Sequence, residues 1–361
     1  MWLIRKVWFI FAGFLRFQMI SMRYFSVFCG ASGFVTEACR LNQSAARLLW
    51  HGATAAVLCA MVALLCSCGG RKQEDPTFND VAIAVDETFR PIIEEEMFVF
   101  NAKYPEAVLK AKYMPETDAI NYMLQDSVRM IIATRPFTQK ERDDVMHAYK
   151  MPVQQKAFAY DAIALIINRE NVDSLISVSE IEKIMTGRLT DWNELQHAKS
   201  RGKIEVVFDN ANSSTVRFIR DSVCAGAELK GNIKEAKTNK NVIDYVSQTP
   251  GAMGIIGVDW LRNKLDSTNL TFDERIRVMC VGYSAVTTED NCFQPVQYYI
   301  ATGQYPLTRT LYMITSDPRP RSMGMYFYHF VSDQDGQLII AKSSQLLPHM
   351  QVQVREVNVT R

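Results

Sequence analysis

"SVSEIEKIMTGRLTDWNEL", residues 177–195, joins a helix signal to an unusual loop. Apolar residues recur at helical spacing up to Gly187, and a glycine at that point is suited to end a helix. In the polar loop that follows, Trp192 comes directly after a Thr-Asp pair, and no obvious catalytic residue lies nearby. The loop therefore raises the question of why it carries so large an indole.

On both sides of this stretch, strand signals alternate with helix signals. Short β-branched runs end in polar turns, and amphipathic stretches follow them. This recurrence predicts an α/β fold whose sheet is connected by crossover helices, with Thr117 as the N-cap of one helix. Residues 80–89 and 128–137 are each predicted to be a strand that ends in a turn, and further strands are predicted over 108–114, 311–317 and the start of 203–223, with a strand pair or one bent strand over 156–170. Helices are predicted over 91–104, 117–126, 139–150, 177–187 and 322–344, and a helix, a Pro-Gly turn and a strand over 241–261.

Three polar turns follow predicted strands at points where a helix begins, namely residues 86–89, 133–136 and 212–215. Helix N-termini present unpaired N–H groups, and ligands of open α/β sheets bind beyond the carboxyl ends of the strands. Together, the three turns could form an oxyanion pocket. Each could equally be an ordinary N-cap, because Ser and Thr are standard capping residues.

Charge and composition argue against several classes of protein. Residues 1–67 contain six Lys and Arg residues and one acidic residue, so the net charge of +1 leaves −4 for the remainder. A mildly acidic body without a Lys/Arg-rich run argues against nucleic-acid binding. The five histidines show no paired ligand spacing, so we predict no metal site and no cofactor. Of the eight cysteines, Cys280 and Cys292 either close a small disulfide loop or remain buried thiols.

The N-terminal region is predicted to be an export signal. Residues 48–65, "LLWHGATAAVLCAMVALL", follow Arg47 and precede a small and then polar stretch. The tetrad that ends at Cys68 resembles a bacterial lipobox, which makes Cys68 the expected lipidation site. A plain transmembrane helix is the alternative, because the apolar stretch could nearly span a bilayer. We expect residues 1–67 to be an N-terminal extension and lipoprotein signal, and residues 68–78 a tether.

Five segments together resemble the phosphate-binding periplasmic proteins of phosphate ABC importers: "SVSEIEKIMTGRLTDWNEL", "NSSTVRFIRDSV", "PGAMGIIGVDWL", "YYIATGQYPLTRTLYMI" and "GQLIIAKSSQLLP". Their order and spacing agree over residues 79–348. The resemblance implies two α/β lobes that close over a bound anion and are joined by two crossover strands. Residues 79–158 plus 258–361 would form lobe 1, and residues 159–257 would form lobe 2. It also implies that Trp192 packs a loop of the second lobe rather than touching the ligand.

The resemblance implies a ligand site built from four loops, with one departure. Many family members have an Asp where Arg135 stands and an Arg where Asp209 stands, so the two charges are exchanged here. Asp209 either accepts a proton from the bound anion, which would reject sulfate, or pairs with Arg135 or Arg217. The ligand-binding residues carried over are Thr88, Phe89, Thr117, Thr134, Arg135, Asp209, Ser213, Ser214 and Thr215.

The function expected from the sequence is that of a lipid-anchored, non-enzymatic binding protein of the bacterial cell envelope, facing the periplasm or exterior. It would be monomeric, capture inorganic phosphate and deliver it to ABC permease subunits. Two alternatives share the fold. One binds another tetrahedral oxyanion (sulfate, molybdate or tungstate), and the other is a surface lipoprotein without a transport role. A phosphatase is disfavoured because no His or Cys lies near the three turns.

Overall fold

The computed structural model describes residues 79–351 apart from 264, 267 and 269. The predicted signal, the tether and the lipidation residue Cys68 lie outside this range. Within it, a mixed sheet has the strand order β2-β1-β3-β11-β4-β8-β6-β7, with β12 and β9 also paired to β4. The strands are β1 (Asp80–Asp86), β2 (Val108–Met114), β3 (Met130–Ala133), β4 (Gln154–Asn168), β5 (Leu175–Ser177), β6 (Glu205–Phe208), β7 (Ile233–Glu235), β8 (Ala252–Gly257), β9 (Ile276–Val278), β10 (Cys280–Gly282), β11 (Thr308–Thr315) and β12 (Leu347–Pro348).

Strand β4 links two groups of strands. Up to Ala162 it pairs antiparallel with β11, and from Ile163 onward it pairs antiparallel with β8. The first strand group comprises β1–β3, β11, β12 and residues 154–162 of β4. The second comprises β6–β9 and residues 163–168 of β4. Of the two predicted alternatives, a strand pair or one bent strand, the structure shows one continuous strand.

Helices connect the strands and cover the sheet. Two begin with capping boxes, at Thr138 and Ser177, in which the hydroxyl and a Glu three residues later each bind a backbone N–H of the other. A π-helical stretch, Ile219–Val223, extends α5. The helices are α1 (Arg90–Lys103), α2 (Glu116–Leu124), α3 (Gln139–Tyr149), α4 (Val178–Met185), α5 (Ser214–Phe218), α6 (Asn239–Gln248), α7 (Gln297–Ala301), α8 (Met323–Ser332) and α9 (Gln334–Ser343).

The structure corrects the predicted N-cap of α2 and agrees with the predicted turn after β3. Thr117 is not an N-cap, because α2 begins one residue earlier and its N-cap is Pro115, which has no capping side chain. The third strand ends at Ala133, where the polar turn of residues 133–136 was predicted to follow it. Its continuation is lost because the Thr134 N–H donates to a side chain of α2 and Pro136 has no N–H to donate.

Trp192 packs into the core, as the family resemblance implied. Its side chain is 1% exposed, and its Nε1–H donates to the Gly251 carbonyl at 3.2 Å. The backbone N–H of Trp192 donates to the Gly202 carbonyl. The indole therefore fastens its loop to the segment that enters β8. Cys280 and Cys292 are free thiols, so the disulfide alternative is not realised.

Candidate ligand-binding site

The parallel strands β1, β2 and β3 bring three polar residues to one edge of the sheet. In the register of these strands, Asp86 pairs with Met114, and Val85 pairs with Ile132. Asp86, Glu116 and Thr134 therefore stand side by side beyond the carboxyl ends of the strands. This is the edge where open α/β sheets bind ligands.

Glu116 joins this edge to the second strand group. Its carboxylate accepts from the Thr134 N–H at 2.6 Å and from the Thr134 hydroxyl at 2.8 Å. Arg217 of α5 donates to the same carboxylate at 2.6 Å and to the Thr134 hydroxyl at 2.6 Å. Burial alone would raise the pKa of Glu116, but Arg217 and Thr134 together hold it below its ordinary value. Glu116 is therefore a paired anion that bridges the two groups.

Arg309 forms a second buried link between the strand groups. Its Nε donates to Asp161 Oδ2 at 2.7 Å, and its Nη1 donates to Ser214 Oγ at 2.9 Å. The side chains of Arg309 and Asp161 are 3% and 0% exposed. The guanidinium also lies 5.1 Å from the centre of the Phe89 ring, which is a cation–π distance.

Besides Asp161 Oδ1 in the link itself, six buried polar atoms around these links have no hydrogen-bond partner among the described residues. Buried polar groups are nearly always paired, so a cluster of unpaired ones points to a ligand. The two strand groups approach each other closely at Gly257. A methyl side chain at this position would overlap Thr88 and lie 3.7 Å from both Arg309 Nη2 and Asp161 Oδ2. The unpaired cluster consists of Asp86 Oδ2, Thr88 Oγ1, Asp209 Oδ1, Thr215 Oγ1, Asn239 Oδ1 and Arg309 Nη2.

Burial shifts the protonation of Asp86 and Asp209, each of which has one carboxylate oxygen without a hydrogen-bond partner. It raises the pKa of Asp86 to about 7, an effect that the charge of Glu116 reinforces and that Arg309 and the Ser214 hydroxyl oppose. Burial likewise raises the pKa of Asp209. Either carboxyl is therefore easier to protonate than an ordinary surface aspartate.

An open groove of about 450 Å³ lies beside the cluster and is lined by neighbours of the cluster residues rather than by the cluster residues themselves. Glu87 lines this groove and accepts a short hydrogen bond from the Asn239 side chain of the second strand group. Trp260 also lines it, and its Nε1–H donates to the Thr88 carbonyl at 2.8 Å. The groove therefore adjoins the unpaired cluster on the side of Thr88.

Most of the residues expected to bind the ligand are close to this cluster. Thr88, Asp209 and Thr215 belong to it, and Phe89 and Ser214 contact Arg309. Ser213 caps α5, where its hydroxyl accepts from the Val216 N–H. The hydroxyl of Thr134 is already used by Glu116 and Arg217.

Thr117 and the exchanged charges lie differently from the expectation. The Thr117 hydroxyl donates to the Asn212 carbonyl at 3.3 Å, at an exposed position. Arg135 forms a bidentate salt bridge with Glu141, in which Nη2 donates to Oε1 at 2.7 Å and Nη1 donates to Oε2 at 2.9 Å. Arg135 and Arg217 are each paired with a glutamate. The predicted alternative in which Asp209 forms an ion pair with one of these arginines is therefore wrong.

The sequence analysis included Asp86 in a candidate turn without naming it as a ligand residue, and it missed Glu116, Asp161, Asn239 and Arg309 as parts of this site. Asp161 could have been noticed, because it is a charged residue inside the apolar strand "AFAYDAIALII". A buried charge needs a partner of opposite sign, and Arg309 begins another apolar strand. Nothing local marks Glu116 or Asn239, whose roles depend on contacts between the two groups.

A sequence profile described as a PBP superfamily domain (PBP_like_2) matches residues 70–334. The chain belongs to the PBP superfamily. Proteins of this family bind a substrate and are not enzymes. PBP stands for periplasmic binding protein, and the mixed α/β architecture is that of the periplasmic-binding-protein fold.

Known PBP relatives are similar over most of their length. The chain is 21% identical over 273 residues to the phosphate-binding protein PstS of Borreliella burgdorferi, which covers 74% of this chain and 89% of that protein. With PstS of Bacillus subtilis it is 20% identical over 295 residues, covering 80% and 86%.

Two solved structures share the fold. One, from Clostridium perfringens, is provisionally described as the substrate-binding protein of a phosphate ABC transporter and contains bound phosphate. The TM-score is 0.63 at 20% identity, with 75% of this chain and 100% of that one covered. The other is an ABC-type phosphate transport receptor from Vibrio cholerae, with a TM-score of 0.55, 16% identity, and 74% and 100% coverage.

Neither a membrane-spanning helix nor a metal-binding group of side chains is found in the part of the chain that the structure describes. Between residues 79 and 351, setting aside the three undescribed positions, no helix is both long and apolar enough to cross a membrane. In the same range, no group of three or more His, Cys, Asp and Glu side chains is arranged to hold a metal ion.

Proposed function

We propose that this chain is a lipid-anchored solute-binding protein that captures inorganic phosphate in a cleft between two lobes for an ABC importer. The observation that carries the proposal is the unpaired cluster, because it draws polar atoms from both strand groups to the carboxyl edge of the sheet. The relatives described as phosphate-binding proteins support phosphate as the ligand. Transfer to permease subunits in the cell envelope is part of the same proposal.

The proposed lobes are residues 79–158 plus 258–361 and residues 159–257. Support comes from β4, which changes its pairing partner between Ala162 and Ile163, and from β8, which ends at Gly257 directly opposite. The site residues proposed to face the anion are those of the unpaired cluster together with Ser213 and Ser214. Arg309, rather than Arg135, is proposed as the cation, since Arg135 is held by Glu141.

A calorimetric titration of the full-length chain in detergent with phosphate and then with sulfate tests the ligand. We expect saturable binding of phosphate at one site and at least about a hundredfold weaker binding of sulfate, because unpaired carboxylates are left buried against an anion that brings no proton. Arsenate, which has the same protonation chemistry, serves as a positive control. Tighter binding of sulfate or molybdate than of phosphate would contradict the phosphate assignment and favour the other oxyanion binders.

Replacement of Cys68 by serine tests the lipid anchor. We expect the wild-type protein to enter the detergent phase in a Triton X-114 partition and the Cys68→Ser protein to lose this behaviour, because several acyl chains bind membranes firmly and a serine cannot carry them. Cys66→Ser is the matched control and should partition like the wild type. Equal partitioning of the wild-type and Cys68→Ser proteins would contradict the lipoprotein proposal.

A further inference from the structure

The unpaired cluster offers many more hydrogen-bond acceptors than fixed donors. Asp86 Oδ2, Asp209 Oδ1 and Asn239 Oδ1 are acceptors, at least while the carboxyls are ionised. The threonine hydroxyls can donate or accept, and Arg309 Nη2 is the only one of the six that always donates. A molecule that satisfies this cluster must therefore bring protons of its own.

The charges that face the two unpaired carboxyls reinforce this requirement. Glu116 faces Asp86 from α2 but is neutralised by Arg217. Arg309 faces both carboxyls from β11 but already pairs with Asp161 of β4. Asp86 and Asp209 also face each other, and Glu87 faces Asp209. Because Asp161 already offsets the charge of Arg309, each further negative charge on a ligand adds repulsion from Asp86 and Asp209, and a singly charged anion meets less of this repulsion than a dianion.

We propose that the site takes phosphate as a singly charged anion that carries two acidic protons, with Asp86 and Asp209 as the two acceptors and Arg309 as the cation. The inference rests on the proposed function. Monohydrogen phosphate brings one proton and satisfies only one acceptor, whereas dihydrogen phosphate brings two. Sulfate brings none. If a carboxyl rather than the ligand holds the second proton, the complex contains the same number of protons.

The proposal requires the complex to take up a proton when monohydrogen phosphate binds. The pKa of Asp86, which burial raises to about 7, makes this proton accessible near neutral pH. When phosphate binding takes up one proton, the apparent affinity for phosphate falls by about tenfold for each pH unit. This fall begins at the pH above which the free protein and free phosphate no longer carry that proton. Affinity should therefore fall as the pH rises above about 7.

The test is titration calorimetry of the full-length chain with inorganic phosphate from about pH 6 to about pH 8.5 at constant ionic strength. Repeating the titration in buffers of different ionisation enthalpy gives the number of protons taken up. We expect about one proton per phosphate near pH 8 and a fall in affinity of about tenfold per pH unit. Phosphate binding whose affinity is constant, or rises, over this range would overturn the inference.

Two variants locate the proton. Asp86→Asn should reduce the proton uptake and flatten the pH profile of phosphate affinity, because the amide cannot share a proton with the ligand. Asp209→Asn should reduce the difference in affinity between phosphate and sulfate. Asp317→Asn is the matched control. Asp317 is also buried, but it lies near Val81 at the opposite end of β1 and pairs with Arg319, so its pH profile should match the wild type.

The outcomes separate this inference from the proposed function. If phosphate fails to bind at every pH, the proposed function fails. If phosphate binds without proton uptake, the function stands and the two-acceptor site is wrong. Circular dichroism shows whether each variant is folded, and the proton count of the wild type decides the inference even if a variant does not fold.

Discussion

Replacement of Arg309 by methionine should lower the free energy of unfolding by about 3–5 kcal/mol, the usual consequence of removing one partner of a buried ion pair. Methionine keeps much of the side-chain volume, so the loss is mainly electrostatic. Asp161, which is 0% exposed, would remain as an uncompensated charge inside the sheet. Urea unfolding followed by circular dichroism measures the effect.

A second replacement shows whether the buried charge causes the loss. In the double variant Arg309→Met and Asp161→Asn, neither residue is ionised, so most of the lost stability should return. Both proteins should still bind phosphate much more weakly than the wild type, because the proposed cation is gone. If the double variant is no more stable than the single one, the electrostatic explanation is wrong. Loss of stability without loss of binding would remove Arg309 from the proposed site.

Replacement of Trp192 by alanine should also cost about 3–5 kcal/mol of stability, the range typical of a buried tryptophan truncation. The side chain is 1% exposed, and its nearest polar contact is the Gly251 carbonyl, at the start of β8. The cavity left behind would loosen the loop on which the indole packs. Molecules that remain folded should bind phosphate with nearly normal affinity, which calorimetry well below the unfolding midpoint would show.

Two other tryptophan variants serve as controls. Trp192→Phe keeps most of the apolar volume and loses the hydrogen bond to Gly251, so it should cost about 1 kcal/mol for that bond. Trp260→Phe should instead affect phosphate binding, because Trp260 donates to the Thr88 carbonyl beside the unpaired cluster. Intact stability with lost binding in Trp192→Ala would contradict the packing role.

The sequence was sufficient for the class of fold and for most of the elements, and the family resemblance implied the packing of Trp192. Apolar periodicity depends on local geometry, so β2 matches its predicted range and α1 nearly does. Short segments such as β5 and β7 went unpredicted because three residues carry too little pattern, and only pairing with a neighbouring strand defines them. The end of β3 lies at the predicted turn, where a side chain of α2 accepts from the Thr134 N–H.

The candidate site likewise has features that the sequence predicted and contacts that only the tertiary structure decided. The sequence alone identified the polar turns at Thr88 and at residues 213–215, because capping and turn chemistry is read from neighbouring residues. Only the tertiary structure decided which charges meet. Arg135 pairs six residues along its own chain, whereas Arg217 reaches Glu116 and Arg309 reaches Asp161 across separations of more than a hundred residues. A buried charge takes the partner that the packing of the sheet brings within reach, and spacing along the chain does not encode that choice.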